Sequence, residues 1–379
     1  MPANALDYIT IRGFKSIASI ERLPLTARNV LIGPNGSGKS NFLGVFELLR
    51  AVIDRRLKNY VIESGGAEKV LHFGSKSTRE LYIHLYCSLP NVGTNRGRSA
   101  LEYELALAPT HDDLLFPSTN AIFNPEQDST GAANPFFPLG QDRQAGIDSN
   151  EPLLGGDDAA RVRMLVRSWR IYHVHDTSSM RKTANVDDNR FLRVDGSNLA
   201  AFLYFLHEKE EASYSLIRRT VQRVAPFFDD FRLEPLRLKP DDIKLEWRHK
   251  NSDQYFDASS LSDGTLRFIA LATLFLQPRQ YLPPVILVDE PELGLHPYAI
   301  EMLTSLIRAA STNTQVIVST QSSLLLDHLE PEDVLVANRV GAATQITRLE
   351  SARLAEWLKD YSLGQLWEKN EFAGRPSPE

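Results

Sequence analysis

Apolar residues recur along the chain in two rhythms, and each change of rhythm marks a change of element. Near the N-terminus, residues 8–11 and 17–25 read as extended segments, and Val30, Leu31 and Ile32 form a short apolar run. From Phe42 the period lengthens: Phe42, Val45, Phe46, Leu49, Val52 and Ile53 fall at helical spacing and predict a helix over 42–58. Alternation returns with Leu81, Ile83 and Leu85, and again with Leu101, Tyr103, Leu105 and Leu107, as in antiparallel strands that cover one face. Residues 110–160 are dense in Pro, Asn, Gly and Asp and predict a long irregular loop. A turn at 195–198 then opens a helical stretch through Leu199, Phe202, Leu203 and Leu206, and 231–257 reverts to strand-like segments. The runs 285–288 and 316–318 are continuously apolar, as expected of parallel strands buried on both faces. No heptad pattern continues long enough for a coiled-coil arm, and no internal repeat is visible.

Composition narrows the class. With 379 residues and 42% hydrophobic content, the chain can build a large core in one or two domains. No apolar run approaches bilayer length, and the opening MPANALDYITIRGFKS lacks the apolar block of a signal peptide. The lone Cys87 suits a reducing compartment, so a cytoplasmic protein with no membrane partner is expected. A net charge of −6 argues against a uniformly basic surface. Local basic clusters, Arg167 with Arg170 and Arg218, Arg219 with Arg223, read either as a DNA-backbone contact or as solvated faces.

Chemistry concentrates first in "LIGPNGSGKSNF", residues 31–42, which fits G-x-x-x-x-G-K-[ST] between the predicted strand and helix. Glycines let backbone N–H groups curl toward phosphate oxygens, and the helix N-terminus adds partial positive charge. Gly33, Pro34, Asn35, Gly36, Ser37, Gly38, Lys39, Ser40 and Asn41 are therefore the candidate cradle for ATP. Lys39 would bridge the outer phosphates in a catalytic role, and the Ser40 hydroxyl would ligate Mg²⁺. A second site residue set follows the 285–288 run, where adjacent Asp289 and Glu290 end the strand. Ligands of open α/β sheets bind at carboxyl ends of strands. Asp289 is thus placed to hold Mg²⁺ and Glu290 to orient or deprotonate the attacking water.

A family resemblance enters with Leu261-Ser262-Asp263-Gly264-Thr265, which resembles the signature motif of ABC-type ATPases and lies upstream of the acidic strand as in that family. The resemblance implies that Ser262 and Gly264 meet the nucleotide of a second subunit; a plain helix N-cap is the alternative. ABC-type ATPases carry a polar switch residue, most often histidine, after the next strand. This chain has Gln321 there, which can donate a hydrogen bond to terminal phosphate but cannot titrate near neutrality.

The opening "ITIRGFKSI" resembles the RecF/SMC-like branch, and "EPELGLHP" the overcoming-lysogenization-defect group within it. "DGSNLAAFLYFL" and the segment 357–378 resemble stand-alone bacterial predicted AAA family ATPases. In related heads, basic residues of the first strand approach nucleotide, so Arg12, and less so Lys15, are candidates, with ordinary solvated side chains as the alternative. His296 is expected to be structural.

The resemblance implies an α/β P-loop NTPase, an ABC-type head with a mixed or parallel central sheet, an antiparallel β subdomain and an inserted helical lobe. Its expected divisions are 1–108, an irregular insertion at 109–160, a helical lobe and connecting strands at 161–257, and a C-terminal lobe at 258–379. Activity would be ATP hydrolysis with Mg²⁺ in a homodimer or larger oligomer that sandwiches ATP. Its output would be DNA-related or antiphage work; a slow nucleotide-gated sensor controlling a separate effector or nuclease protein is the alternative. A transporter's energising subunit fits the opening strand and helical lobe less well. No glutamine was found for the Mg²⁺-coupling loop after the first lobe, and too few residues follow 336 for an appended nuclease.

Overall fold

The computed structural model describes residues 5–89, 99–123 and 156–372. They fall into two compact units, one built from the described residues up to 169 with 332–350 and 370–372, the other from 170–331 with 351–369.

The first unit contains a five-stranded sheet in the order Ile17–Pro24, Ala5–Phe14, Leu81–Leu89, Ser99–Pro109, Leu115–Phe123. Every pairing in it is antiparallel. The alternation read from the sequence sets the register. Ile9 lies opposite Leu85 and Ile11 opposite Ile83, while Leu85 faces Tyr103 and Ile83 faces Leu105. All six side chains are buried on one face of the pleat.

The strand Leu115–Phe123 corrects part of the expected irregular stretch at 110–160. It is an edge strand carrying Pro117 opposite Leu107, next to a register shift, and proline, which cannot donate to the ladder, is tolerated at edges and bulges. The proline and polar residues hid it from pattern reading. The helix Gly156–Ser168 also begins inside that stretch, residues 110–114 are the turn that leads into the strand, and 124–155 lie outside the described residues.

The same unit holds the phosphate-loop strand Arg28–Ile32, paired in parallel with Val334–Val340, which turns back antiparallel as Ala343–Arg348. Helix Lys39–Ile53 follows the loop and buries Phe42, Val45, Phe46, Leu49, Val52 and Ile53. It stops at Ile53, short of the expected 58. The Asp54 carboxylate gathers Arg50, Arg56 and Arg167 at the helix end, and Arg55 takes φ 59° before a new helix, Leu57–Glu63.

In the second unit, Val285–Asp289 runs parallel to Gln315–Thr320 on one side and to Arg170–Tyr172 on the other. Val285 to Val288 are fully buried, as a strand covered on both faces requires. The lobe that separates the motifs in sequence is helical where periodicity placed it, Leu199–Lys209 and Glu211–Val224. Its entry is fixed by Asn198, fully buried, whose Oδ1 accepts the Arg193 N–H while Nδ2 donates to the carbonyls of Asp188 and Phe191. Two small three-stranded antiparallel sheets account for the strand-like region that follows. Helix Asp263–Leu276 is buried from Leu266 through Phe275, and helix Pro297–Ala310 packs against it. Among the described residues, no helix is long and apolar enough to cross a membrane.

Candidate nucleotide site

Conformation makes the phosphate loop glycine-dependent. Gly36 and Gly38 sit at φ 79° and 101°, where residues with a Cβ are strained. A Cβ on Gly38 would lie 2.0 Å from the Thr344 hydroxyl oxygen. Lys39 begins the helix with its side chain buried and donates from Nζ to the carbonyls of Gly33 at 2.7 Å and Pro34 at 3.1 Å. Ser37 Oγ is buried without a hydrogen-bond partner among the described residues. Asn35, Gly36 and Ser40 are exposed. A buried ammonium, an unsatisfied hydroxyl, a helix N-terminus and an open face at Gly36 together fit a polyphosphate with its cation.

The loop is held from behind by residues far away in sequence. Thr344 N–H donates to Ser16 O at 2.7 Å, and its hydroxyl donates to Ser37 O at 2.9 Å. Ser16 Oγ lies 2.7 Å from Thr344 Oγ1 and accepts from Asn41 Nδ2 at 2.7 Å. Proton counting then gives one direction to the chain: Asn41 to Ser16, Ser16 to Thr344, Thr344 to the loop carbonyl. Ser16 sits in the "FKSI" stretch and Asn41 in "GKSN", so this bond links two motifs the sequence offered separately. Thr344 gave no signal at all.

Arg12 makes a bidentate ion pair with Glu21, 2.6 and 2.8 Å, over the Tyr82 ring, in its own sheet. The guanidinium holds the Glu21 carboxyl down at about 2, with help from Ser19. Lys15 lies over the Phe14 ring.

In the second unit the acidic strand ends on a polar ladder. Ser319 Oγ donates to Asp289, and Glu290 N–H donates to Ser319 O at 2.9 Å. Glu290 adopts φ 39°, in the left-handed region that residues with a Cβ uncommonly occupy. Its carboxylate accepts from Gln321 Nε2. Both Asp289 and Glu290 are partly exposed, at the carboxyl end of their strand as expected.

Ser262 and Asp263 of the signature-like segment are exposed, and Leu261 beside them is buried. Ser262 Oγ accepts the Thr265 N–H at 3.1 Å and so caps helix Asp263–Leu276. Gly264 packs so closely that a Cβ would come within 2.2 Å of the Gly294 carbonyl oxygen. Asp263 is clasped by Thr177 and Arg181, which hold its carboxyl below the usual range, and Arg181 also reaches the carbonyls of Ala258 and Leu261. Arg267, buried, donates to the carbonyls of Val174 and His175. The segment 173–181 therefore leaves a strand whose Tyr172 is level with Val288 and ends against the signature residues.

His296 has the structural role expected of it, capping helix Pro297–Ala310. Of the basic clusters, Arg167 pairs with Asp54, Arg170 stacks on Phe191 and Arg218 pairs with Asp230, while Arg219 and Arg223 are exposed.

SMC heads are among the solved structures that the chain resembles. One is the SmcHead bound to the C-winged helix domain of ScpA, 14% identical with a TM-score of 0.60 over 93% of this chain and 99% of that one. A Pyrococcus furiosus Smc head domain with an extended coiled coil, bound to the C-terminal domain of ScpA, is 12% identical with a TM-score of 0.58 over 95% and 99%. A Pyrococcus yayanosii Smc head domain with a coiled coil and joint is 14% identical with a TM-score of 0.53 over 95% and 99%. At such identities the likeness establishes the fold, the ABC-type P-loop head that the sequence implied. No curated protein matches the chain. A family model described as "AAA domain, putative AbiEii toxin, Type IV TA system" matches residues 28–84 and 95–327, most of the sequence. The chain belongs to that family of AAA-type ATPase domains.

Proposed function

We propose that the protein binds and hydrolyses ATP, and that two copies close around the nucleotide to drive a DNA-related or defence activity. The observation that carries this is Lys39: a buried ammonium at a helix N-terminus, resting on the carbonyls of its own glycine loop. Phosphate oxygens would take over those bonds. Gly33 through Asn41 supply the cradle, and Ser40 with Asp289 would hold Mg²⁺, which when bound neutralises charge on the outer phosphates. Glu290, oriented by Gln321, would accept the proton of the attacking water. Ser262 and Gly264 would face the nucleotide of the partner copy; the exposure of Ser262 and Asp263 supports this. Binding energy then favours the closed pair, and hydrolysis releases it. Arg12, engaged with Glu21, would have to exchange that partner to reach nucleotide.

The family description names a toxin of a toxin–antitoxin system, and two of the similar SMC heads are described in complex with ScpA. Both favour a role in which this ATPase works with a second protein. A slow, nucleotide-gated sensor is the second reading, favoured by Gln321, which fixes Glu290 without offering a titratable proton.

The test compares three proteins by nucleotide binding, phosphate release and light-scattering mass. Wild type is expected to bind ATP and turn it over. Lys39→Ala should lose binding, and Glu290→Gln should bind, stop turning over and accumulate as a dimer with ATP. A Glu290→Gln protein that stays monomeric at saturating ATP removes the closure mechanism; equal binding by Lys39→Ala removes the site.

A further inference from the structure

We propose that Glu292 is a positioning residue that fixes Gln321, and through it Glu290, at the end of the acidic strand. Glu292 lies two residues beyond Glu290 on the loop that follows that strand. Its Oε1 accepts two bonds from the neighbouring strand end, the Thr320 hydroxyl at 2.6 Å and the Gln321 N–H at 3.0 Å. Gln321 in turn donates its side-chain amide to Glu290. Thr320 is fully buried, and its hydroxyl also accepts the Ser322 N–H at 3.0 Å, so the bonds on either side of Gln321 are set by one residue pair.

The second oxygen, Oε2, is buried and has no partner among the described residues. Desolvation holds the Glu292 carboxyl above the usual carboxylate range, opposed by the bonds from Thr320 and Gln321. A buried, half-satisfied carboxyl is a poor choice for stability alone, because an unpaired acceptor in a dry site is costly. It is a good choice for fixing geometry: a single carboxylate oxygen accepts a hydroxyl and a backbone N–H at one point. The backbone bond matters most: Gln321 sits where the chain turns out of its strand, and the bond from its N–H to Glu292 sets the direction in which its side chain leaves toward Glu290.

The inference rests on the proposed ATPase reading, but its structural half can be measured without nucleotide. Hydrogen exchange of the peptide covering 316–326 in the nucleotide-free protein should be slow in wild type and in Glu292→Gln, which keeps the acceptor, and fast in Glu292→Ala. In steady-state assays, Glu292→Ala and Gln321→Ala should each lower kcat by about tenfold, a change of one decade in transition-state terms, with KM unchanged. The double variant should be no slower than about twofold below either single one, because the two act as a unit. Glu292→Gln should restore kcat. Multiplicative losses, a change in KM alone, unchanged exchange in Glu292→Ala, or reduced melting temperature with kcat intact would each overturn the proposal. Absence of turnover in wild type would instead remove the ATPase reading, and the exchange experiment would still decide whether Glu292 holds Gln321.

Discussion

Replacing Thr344 by Val tests whether the phosphate loop is held from behind. The two side chains have nearly the same shape, and Thr344 is 3% exposed, so packing is preserved while one hydroxyl is removed. That hydroxyl donates to Ser37 O and receives the Ser16 hydroxyl. Ser16 keeps the Asn41 donor but its part-buried hydroxyl loses its acceptor, and the loop carbonyl loses a donor in a buried bond. Leaving one buried acceptor unsatisfied costs about 1–3 kcal/mol. Urea unfolding should show this loss directly. If the same bond pre-sets the loop for phosphate, ATP affinity falls by at most the same free energy, and about 1.4 kcal/mol corresponds to a tenfold weaker Kd. Thr344→Ser keeps the hydroxyl and should bind ATP nearly as wild type does. A Thr344→Val protein with both its unfolding midpoint and its ATP affinity unchanged would refute the claim that this hydroxyl braces the loop.

Burial pushes the Cys87 thiol far above its ordinary pKa, so it should resist aromatic disulfide reagents in the folded protein and react at once in denaturant; rapid reaction in the native state contradicts its placement. The Arg12–Glu21 pair has a carboxyl depressed to about 2, so its contribution is present above the ordinary glutamate range and is lost as pH falls toward 2. Both side chains are 53% exposed, which limits the effect to less than about 1 kcal/mol. Arg12→Ala should therefore move the urea midpoint little at pH 7; a loss of ATP affinity in that variant would show that Arg12 leaves Glu21 for nucleotide.

Local patterns carried much of this protein. The phosphate loop, the acidic strand end and the helix N-cap at Ser262 each depend on residues within one turn or one strand, so spacing alone marks them. The alternating strands 81–89 and 99–109 were legible because one face is covered and the other is not. Where several determinants converge from distant parts of the chain, the sequence was silent. Ser16 and Thr344 meet behind the loop although 328 positions separate them. Glu292 reads as one more acid after a strand until Thr320 and Gln321 are seen beside it, and the edge strand 115–123 hides behind a proline that only an edge can accept. Helix 39–53 ends where Asp54 meets Arg167, a residue no periodicity could place there. Hydrophobic rhythm is a one-dimensional consequence of burial and can be read along the chain. A hydrogen bond between side chains hundreds of residues apart exists only once folding has brought donor and acceptor within 3 Å, and no linear pattern records it.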